Sequence, residues 1–585
     1  MSISANYPAL RPALLLDFAN SQQLDPRVTF SRSTTAPYYD GKTSVLAEQN
    51  LTVQSQDWTQ SVWIKTGLTV TANNWVAPDG TTTGTLLTST TSTAGSTGTY
   101  QSITFAIGST ISFYATAGTA NFIGALVGGV GCYANFNLGT GAVASSTGCT
   151  PSMVSIGGGT YRCIIANTSI SGTVIILTGK DADPAASPWV NGVWTSGSTV
   201  KVWGFQVENR SSPTAYNPTT TSAITNYIPQ LLTAPINAPR FDFNPTTGES
   251  LGLLIEQSST NLQTYSSQMG DASWTVSNTT VTLNANIAPD GTQTATLGVQ
   301  ISGTPFIRRV ATVSANTTYT TSVYAKAYAS STFVMVEAGV TGSSASFTLT
   351  GNGAVVVTNL GGSTSATITL VGNGWYRCTF TYTTGASQTT LYINNQTISN
   401  FVWGAQLEAL AFPTSYIPTT SAQVTRAADV ANITGTNFSS WFNQAEGTMY
   451  AETQTITTNT YAYIANLCDG GNGQNEIALR IETTNYRLSV VVNNIAQVNL
   501  TIGSYTAGGY NKTIMAYKTN DFAGTKNGGT VATATSGSLP TVNQLVLGTQ
   551  RTAAPSAFTH TGTFKKIAYY PIRVTNAQLQ ALTGS

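Results

Sequence analysis

The sequence predicts an all-β protein of tandem antiparallel β-sandwich domains of jelly-roll type, and three observations predict it. Only 8% of the 585 residues are charged, against about 25% in an ordinary globular protein. Thr, Ser, Gly and Asn stand where Lys and Glu would be; these are weak helix formers, while Thr, Val, Ile and the aromatics suit a pleated, half-buried surface. Hydrophobic residues make up 41% of the chain, enough for several cores, so the Ser/Thr-rich runs read as strand faces and loops instead of disorder. The third observation is a long internal repeat. Asn50-Leu51, Ser55, Trp63 and Ala77-Pro78-Asp79-Gly80 return as Asn261-Leu262, Ser266, Trp274 and Ala288-Pro289-Asp290-Gly291, each pair 211 positions apart. A repeat of roughly 165 residues is far longer than a solenoid or propeller unit, which makes the copies two domains.

The elements follow in order. Residues 1–49 form a leader with short apolar runs, Leu14 to Phe18 and Thr29-Phe30-Ser31-Arg32-Ser33. Module one spans 50–225. A Pro-rich connector, 226–258, holds Pro229, Pro235, Pro239 and Pro245, with Arg240-Phe241-Asp242-Phe243 alternating like a strand and Thr247-Gly248 marking a turn. Module two spans 259–425, and the segment 426–585 shares none of the repeat's landmarks although it too is written in short alternating runs. Leader and connector lack the composition of a flexible linker and are expected to pack as ordered attachment elements, with Arg32 and Arg240 paired to carboxylates or carbonyls. Deleting residues 1–49 is expected to leave the modules folded and to abolish assembly into a larger particle.

Within each module the best-marked strand carries Trp-Gly-x-Gln-x-Glu, at Trp203 to Glu208 and again at Trp403 to Glu408. Strict alternation places Phe401, Trp403, Ala405 and Leu407 on one face and Gly404, Gln406 and Glu408 on the other. The apolar face, Trp included, is expected to point into a sandwich core. At the end of the chain Thr575 followed by Gln578, ahead of Leu579 and Leu582, fits a capping box opening a short helix.

Composition excludes several functions. A net charge of +1 and no Lys/Arg run longer than Lys565-Lys566 or Arg308-Arg309 argue against nucleic acid. No stretch of about 18 apolar residues argues for membrane insertion, and no basic n-region precedes Leu14-Leu15-Leu16, so no ordinary secretory signal is expected. Five cysteines do not make a disulfide scaffold; Cys163 and Cys378 read as buried small hydrophobes, and the pairing of Cys132 with Cys149 is left open. His560 is the sole histidine and lacks a nucleophile signature around it. Glu208 and Glu408 recur in both modules, which favours a shared structural role over glycosidase chemistry. Asp79-Gly80 and Asp290-Gly291 read first as turns. No cofactor is expected; a structural calcium stays open without a specific motif.

The Trp403 to Glu408 strand, followed by Pro413-Thr414-Ser415-Tyr416-Ile417-Pro418-Thr419, resembles the carbohydrate-binding-like jelly-roll modules of tailed-bacteriophage structural proteins. Leu24 to Ser33 in the leader, and Pro239-Arg240-Phe241-Asp242 through Gly252 to Glu256 in the connector, resemble the same proteins. The last segment, with Glu446-Gly447-Thr448 and Gly562-Thr563-Phe564, is similar to concanavalin-like or laminin-G-like sandwiches. The resemblance implies a non-enzymatic virion protein on the tail or capsid surface, made in the host cytoplasm. Its partners would be other virion proteins and host-surface glycans; self-association is expected, and a trimer fits it. A tail fibre or appendage is the first reading, a capsid or neck decoration protein the second and a polysaccharide depolymerase the third.

The candidate contact site is what module one has and module two lacks. From the cysteine of Tyr-Arg-Cys to the Trp of Trp-Gly-x-Gln is 40 positions in module one (Cys163 to Trp203) and 25 in module two (Cys378 to Trp403). The excess includes Asp181, Asp183, Trp189 and Trp194, an apolar pair with acidic edges of the kind sugar rings and protein partners use. The competing reading is a packed loop whose tryptophans cap the sandwich.

Overall fold

A computed structural model describes residues 11–95, 97–128, 131–338, 342–359, 364–456, 461–471, 473–552 and 558–584. The described chain is almost entirely antiparallel sheet, with short helices at Phe18–Ser21, Gly435–Ser439 and Asn576–Gly584. It divides into two compact units, Leu46–Ile228 and the remainder, Met1–Val45 with Pro229–Ser585.

The first unit holds module one as two six-stranded sheets. One runs Ala142–Thr147, Tyr133–Asn137, Phe122–Val127, Gly172–Lys180, Gly98–Phe105, Ile64–Thr66; the other runs Thr150–Gly157, Thr160–Ala166, Thr110–Ala117, Thr199–Glu208, Gly84–Ser89, Leu68–Trp75. Sequence neighbours are repeatedly placed in opposite sheets, the crossing pattern of a jelly roll. The inner faces meet over an aromatic core in which Trp58 stacks on Trp63 at 4.5 Å and Phe205 meets both edge-on.

Module two, in the other unit, repeats this strand order. Ala354–Thr358, Ser344–Thr348, Thr332–Glu337, Thr390–Thr397, Phe306–Arg308 and Thr275–Ser277 form one sheet. Thr364–Gly372, Trp375–Thr383, Thr318–Ala327, Ser399–Glu408, Ala295–Gln300 and Thr279–Asn286 form the second.

The final sandwich is not confined to 426–585. Leu14–Asp17 and Ser250–Ile255 both pair with Gly562–Tyr570, and Thr29–Ser31 pairs with Val430–Thr434. Leu14, Leu16, Phe18, Val28, Leu253 and Ile255 lie in the same core as Met449, Leu479, Phe522 and Tyr569. Parts of the leader and connector are therefore strands of this domain, while Ala36–Tyr38 pairs with Leu232–Ala234 in a separate two-stranded sheet; removing residues 1–49 would take Leu14, Leu16, Phe18 and Val28 out of this core. The C-terminal helix follows the sequence reading: Thr575 N donates to Gln578 Oε1 (2.9 Å) while Gln578 N donates back to Thr575 Oγ1 (3.3 Å), and Leu579 is buried.

One expectation from alternation fails for an identifiable reason. Trp403 is buried (1% exposed), as is Trp203 (3%), yet neither joins the main core. Val402, Ala405 and Leu407 do, and so do Val202, Phe205 and Val207 in module one. A β-bulge interrupts the strand between Trp403 and Gln406, where the pairing with Thr318–Ala327 loses register. Its pivot is Gly404, at φ +66°, where a side chain would be strained and would also meet the Tyr324 ring at 2.9 Å. The extra residue flips the phase, so Trp403 packs on the opposite face against Tyr324 and Tyr416, its Nε1 donating to Thr294 Oγ1 (3.0 Å). Gly204, at φ +63°, produces the same flip for Trp203.

A buried charge cluster ties leader, connector and the start of the last segment together. Arg32 donates to Asp429 Oδ1 (3.0 Å), Thr34 O and Pro235 O. Arg240 donates to Asp429, to Glu256 Oε2 (2.7 Å) and to Pro37 O. Arg426 donates to Gln257 O (2.7 Å) and stands 3.6 Å from Glu256. In a chain so poor in charge, these ions are almost fully withdrawn from water and satisfy one another, a requirement for burying them at all.

Candidate functional site

The excursion unique to module one leaves strand Gly172–Lys180 and returns at Thr199–Glu208. Asp181 closes its base, accepting from Thr195 N (2.7 Å) and Thr195 Oγ1 (2.5 Å). From there the segment crosses the outer face of the first sheet. Asp183 accepts from Ser145 Oγ (2.9 Å) and from Ala185 N (3.0 Å), and Asn135 Nδ2 donates to Ala186 O (2.9 Å). Pro188 then covers Gly124, where an added Cβ would meet it at 2.4 Å, and the Trp189 ring lies over Gly98 and Ile176. Lys180 Nζ reaches Gly192 O (3.4 Å), and burial lowers this ammonium to about 8.

The four residues expected to form a platform are thus separated. Asp181 is exposed, Asp183 and Trp189 are half-buried, and Trp194 is 1% exposed. The inclusion of Trp194 is corrected: its ring packs against Gly179 inside the module-one core, because the returning chain must plug the end of the sandwich before it re-enters the sheet. Of these four, Trp189, Asp181 and Asp183 present atoms to solvent, beside exposed Val190 and Val193.

Module two supplies the comparison. Across the outer face of module one a row of paired residues reads Ser145, Asn135, Gly124, Thr178. The corresponding row in module two reads Val356, Ser346, Val334, Gln396. Val334 stands where Gly124 makes room for Pro188, and Val356 is 68% exposed. The same sandwich therefore folds without the excursion, which is an addition to the module and not a part of its core.

The repeated polar residues are structural. Glu408 is fully buried and accepts from Thr414 N (3.0 Å), Gln406 Nε2 (2.7 Å), Thr414 Oγ1 (2.5 Å) and Ser259 Oγ (2.6 Å), while Gln406 Oε1 accepts from Ile417 N (2.6 Å). Glu208 and Gln206 hold Thr214 and Asn217 the same way, and burial raises the Glu208 carboxyl above its ordinary value. The Gln-Glu pair is the clamp that fastens the returning Pro-Thr-x-Tyr segment to the bulged strand. Asp79 and Asp290 cap their turns through Thr81 and Thr292. His560 is fully buried with neither ring nitrogen partnered among the described residues, and burial lowers it to about 3. Among the described residues no group of three or more His, Cys, Asp or Glu could hold a metal ion, and no helix is long and apolar enough to cross a membrane.

One polar assembly was not anticipated. On the outer face of the last sandwich, Arg480 bridges Glu476 (3.5 Å) and Glu482 (3.0 Å), with Tyr463 Oη donating to Glu476 Oε1 (2.9 Å) and Arg487 beside Glu482. Its signal was legible, since Glu476, Arg480 and Glu482 share one parity of a strand whose other parity is Ile477, Leu479 and Ile481.

No protein-family model and no curated protein matches the chain. Among solved structures it is similar to the Ruminococcus gnavus IT-sialidase CBM40 (16% identity, 24% of this chain and 84% of that chain, TM-score 0.22). It is also similar to the NanB sialidase of Streptococcus pneumoniae (10% identity, 26% of each chain, TM-score 0.23) and to domains LG4-5 of the mouse laminin alpha1 chain (12% identity, 44% of this chain and 85% of that chain, TM-score 0.17). The all-β sandwich class rests on the sheets themselves.

Proposed function

We propose that this chain is a non-enzymatic virion protein, a bacteriophage tail fibre or appendage that contacts host-surface glycans through module one. The observation that carries the reading is the excursion: an addition found in one copy of a duplicated sandwich, dispensable to the fold of the other, places half-exposed Trp189 and the carboxylates of Asp181 and Asp183 on the outside of the sheet. A half-exposed aromatic ring suits the face of a sugar, and the two carboxylates stand apart from it on the same segment. The repeated carboxylates and His560 are meanwhile held in buried structural roles. Trp189→Ala should weaken host adsorption and glycan-array binding at least tenfold while leaving the melting temperature within a few degrees. Unchanged adsorption by that variant would remove the glycan assignment.

A decoration protein of the capsid or neck is the second reading, favoured by one observation: Trp194 and Pro188 fasten the excursion as a fixed cover of the sheet. Location of the chain in a particle reconstruction separates the two.

A further inference from the structure

The five cysteines fall into two groups. Cys163, Cys378 and Cys468 are buried; burial pushes the first two thiols up, and Gln544 Nε2 donates to Cys468 Sγ (3.3 Å). Cys132 and Cys149 stand together. They bracket the hairpin of strands Tyr133–Asn137 and Ala142–Thr147, in which Tyr133 pairs with Thr147. Cys132 lies one step further out, beside Gly148, whose Cβ position is 3.3 Å from Cys132 Cα, and Cys149 follows. Both side chains belong to the module-one core, Cys132 within it and Cys149 packed against it, and the neighbouring Cys132 pushes the Cys149 thiol up. Cys149 Sγ also donates to Tyr133 O (3.3 Å). Cys132 is fully buried, whereas Cys149 is half-buried and within reach of a small reagent. In module two, counting from the matching core residues Ala134 and Ala345, serine (Ser343) replaces Cys132. The pair belongs to module one alone.

We propose that Cys132 and Cys149 form a disulfide when the chain passes from a reducing to an oxidising medium, stapling the hairpin whose Asn135 and Ser145 carry the excursion. Cys132 stands opposite Gly148, so Cys149 is its diagonal neighbour on the same core, and a disulfide requires two such Cα atoms to lie within about 4.4 to 6.8 Å; the inference rests on the proposed virion reading, in which a reducing cytoplasm keeps the thiols reduced until release. The oxidant is a small disulfide such as oxidised glutathione. Cys149, the thiol a small reagent reaches, gives its proton to solvent and attacks one glutathione sulfur, a step that its raised proton affinity slows; that S–S bond breaks, leaving a mixed disulfide on Cys149 and one glutathione thiolate. The Cys132 thiolate then attacks the Cys149 sulfur and expels the second glutathione. Two protein thiols are oxidised, one glutathione disulfide is reduced, and the two protons leave on the glutathione thiols.

The test uses the full chain, fully reduced and then equilibrated with oxidised glutathione. Thiol titration should fall from five to three, a peptide linking Cys132 to Cys149 should be found by mass spectrometry, and dithiothreitol should restore five. The oxidised protein should show the melting transition of Leu46–Ile228 raised by several degrees. Cys132→Ser should leave Cys149 as a mixed disulfide with glutathione, and Cys149→Ser should retain all four of its thiols. Five free thiols after oxidation, or a persistent mixed disulfide on Cys149 in the unmodified chain, would overturn the proposal.

Discussion

Asp429→Ala is the sharpest probe of how the leader is held. Asp429 is fully buried and is the common acceptor for Arg32 Nη1 (3.0 Å), Arg240 Nη2 and Glu256 N (2.9 Å). The cluster sums three guanidinium charges, Arg32, Arg240 and Arg426, against the carboxylates of Glu256 and Asp429, a net of +1. Removing Asp429 raises this to +2 with both Arg32 and Arg240 side chains at 0% exposure, and leaves three buried donors without their acceptor. Breaking a buried pair from one side costs about 3 to 5 kcal/mol, because the remaining charge is neither solvated nor paired. Urea unfolding should therefore show the transition of Met1–Val45 with Pro229–Ser585 moved to lower denaturant, with that of Leu46–Ile228 unmoved. Burial shields the pair from ions, so the loss should persist at high salt. Arg32→Met should cost far less in the Asp429→Ala background than in the original chain, since Arg32 has by then lost its carboxylate. A loss below about 1 kcal/mol, or strict additivity of the two substitutions, would refute the cluster as the tie.

Gly124→Val places a side chain against Pro188 at 2.4 Å and Asn135 Oδ1 at 2.4 Å; it should cost about 1 to 3 kcal/mol and open the excursion near Trp189 to limited proteolysis, while an undigested loop would contradict the packing. Trp403→Ala should cost roughly 3 to 5 kcal/mol in thermal or urea unfolding through its cavity between Tyr324 and Tyr416. His560 supplies a pH test. Its folded value of about 3 lies below the ordinary 6.5, so the unfolded chain binds the extra proton between those values; stability should fall as pH drops through this window, by up to about 1.4 kcal/mol per pH unit. His560→Phe, beside Phe564 at 4.6 Å, should flatten that slope; an unchanged profile would contradict the assignment. Asp242 works in the opposite sense: burial raises it to about 6, so its contribution is lost as pH rises from about 4 to 6, and Asp242→Asn should remove that part of the profile.

The sandwich class and the helix cap were legible because each depends on local pattern, period-two alternation and Thr575 with Gln578, and the duplication because its landmarks recur at a constant spacing of 211. The face of Trp403 was misread because alternation assumes a regular strand, and a single residue at positive φ, Gly404, inverts the phase. In the candidate site the extra segment was found by counting, yet its two tryptophans part company, Trp194 inward and Trp189 outward. The tryptophans themselves do not distinguish the two sites; the division depends on room left by Gly179, in the strand the excursion leaves, and by Gly98, in a strand far earlier in the chain.

The sequence by itself determined that this is a low-charge, all-β chain with two copies of one module, because composition and periodicity act over a few residues at a time. Tertiary structure alone decided that strands of the leader and connector join the last sandwich, and that Arg32, Arg240 and Arg426 share two carboxylates. These depend on partners up to 555 positions apart, Leu14 with Tyr569. Strand pairing and the burial of charge are satisfied only by whichever groups the completed fold brings within reach, and chain order does not encode that proximity.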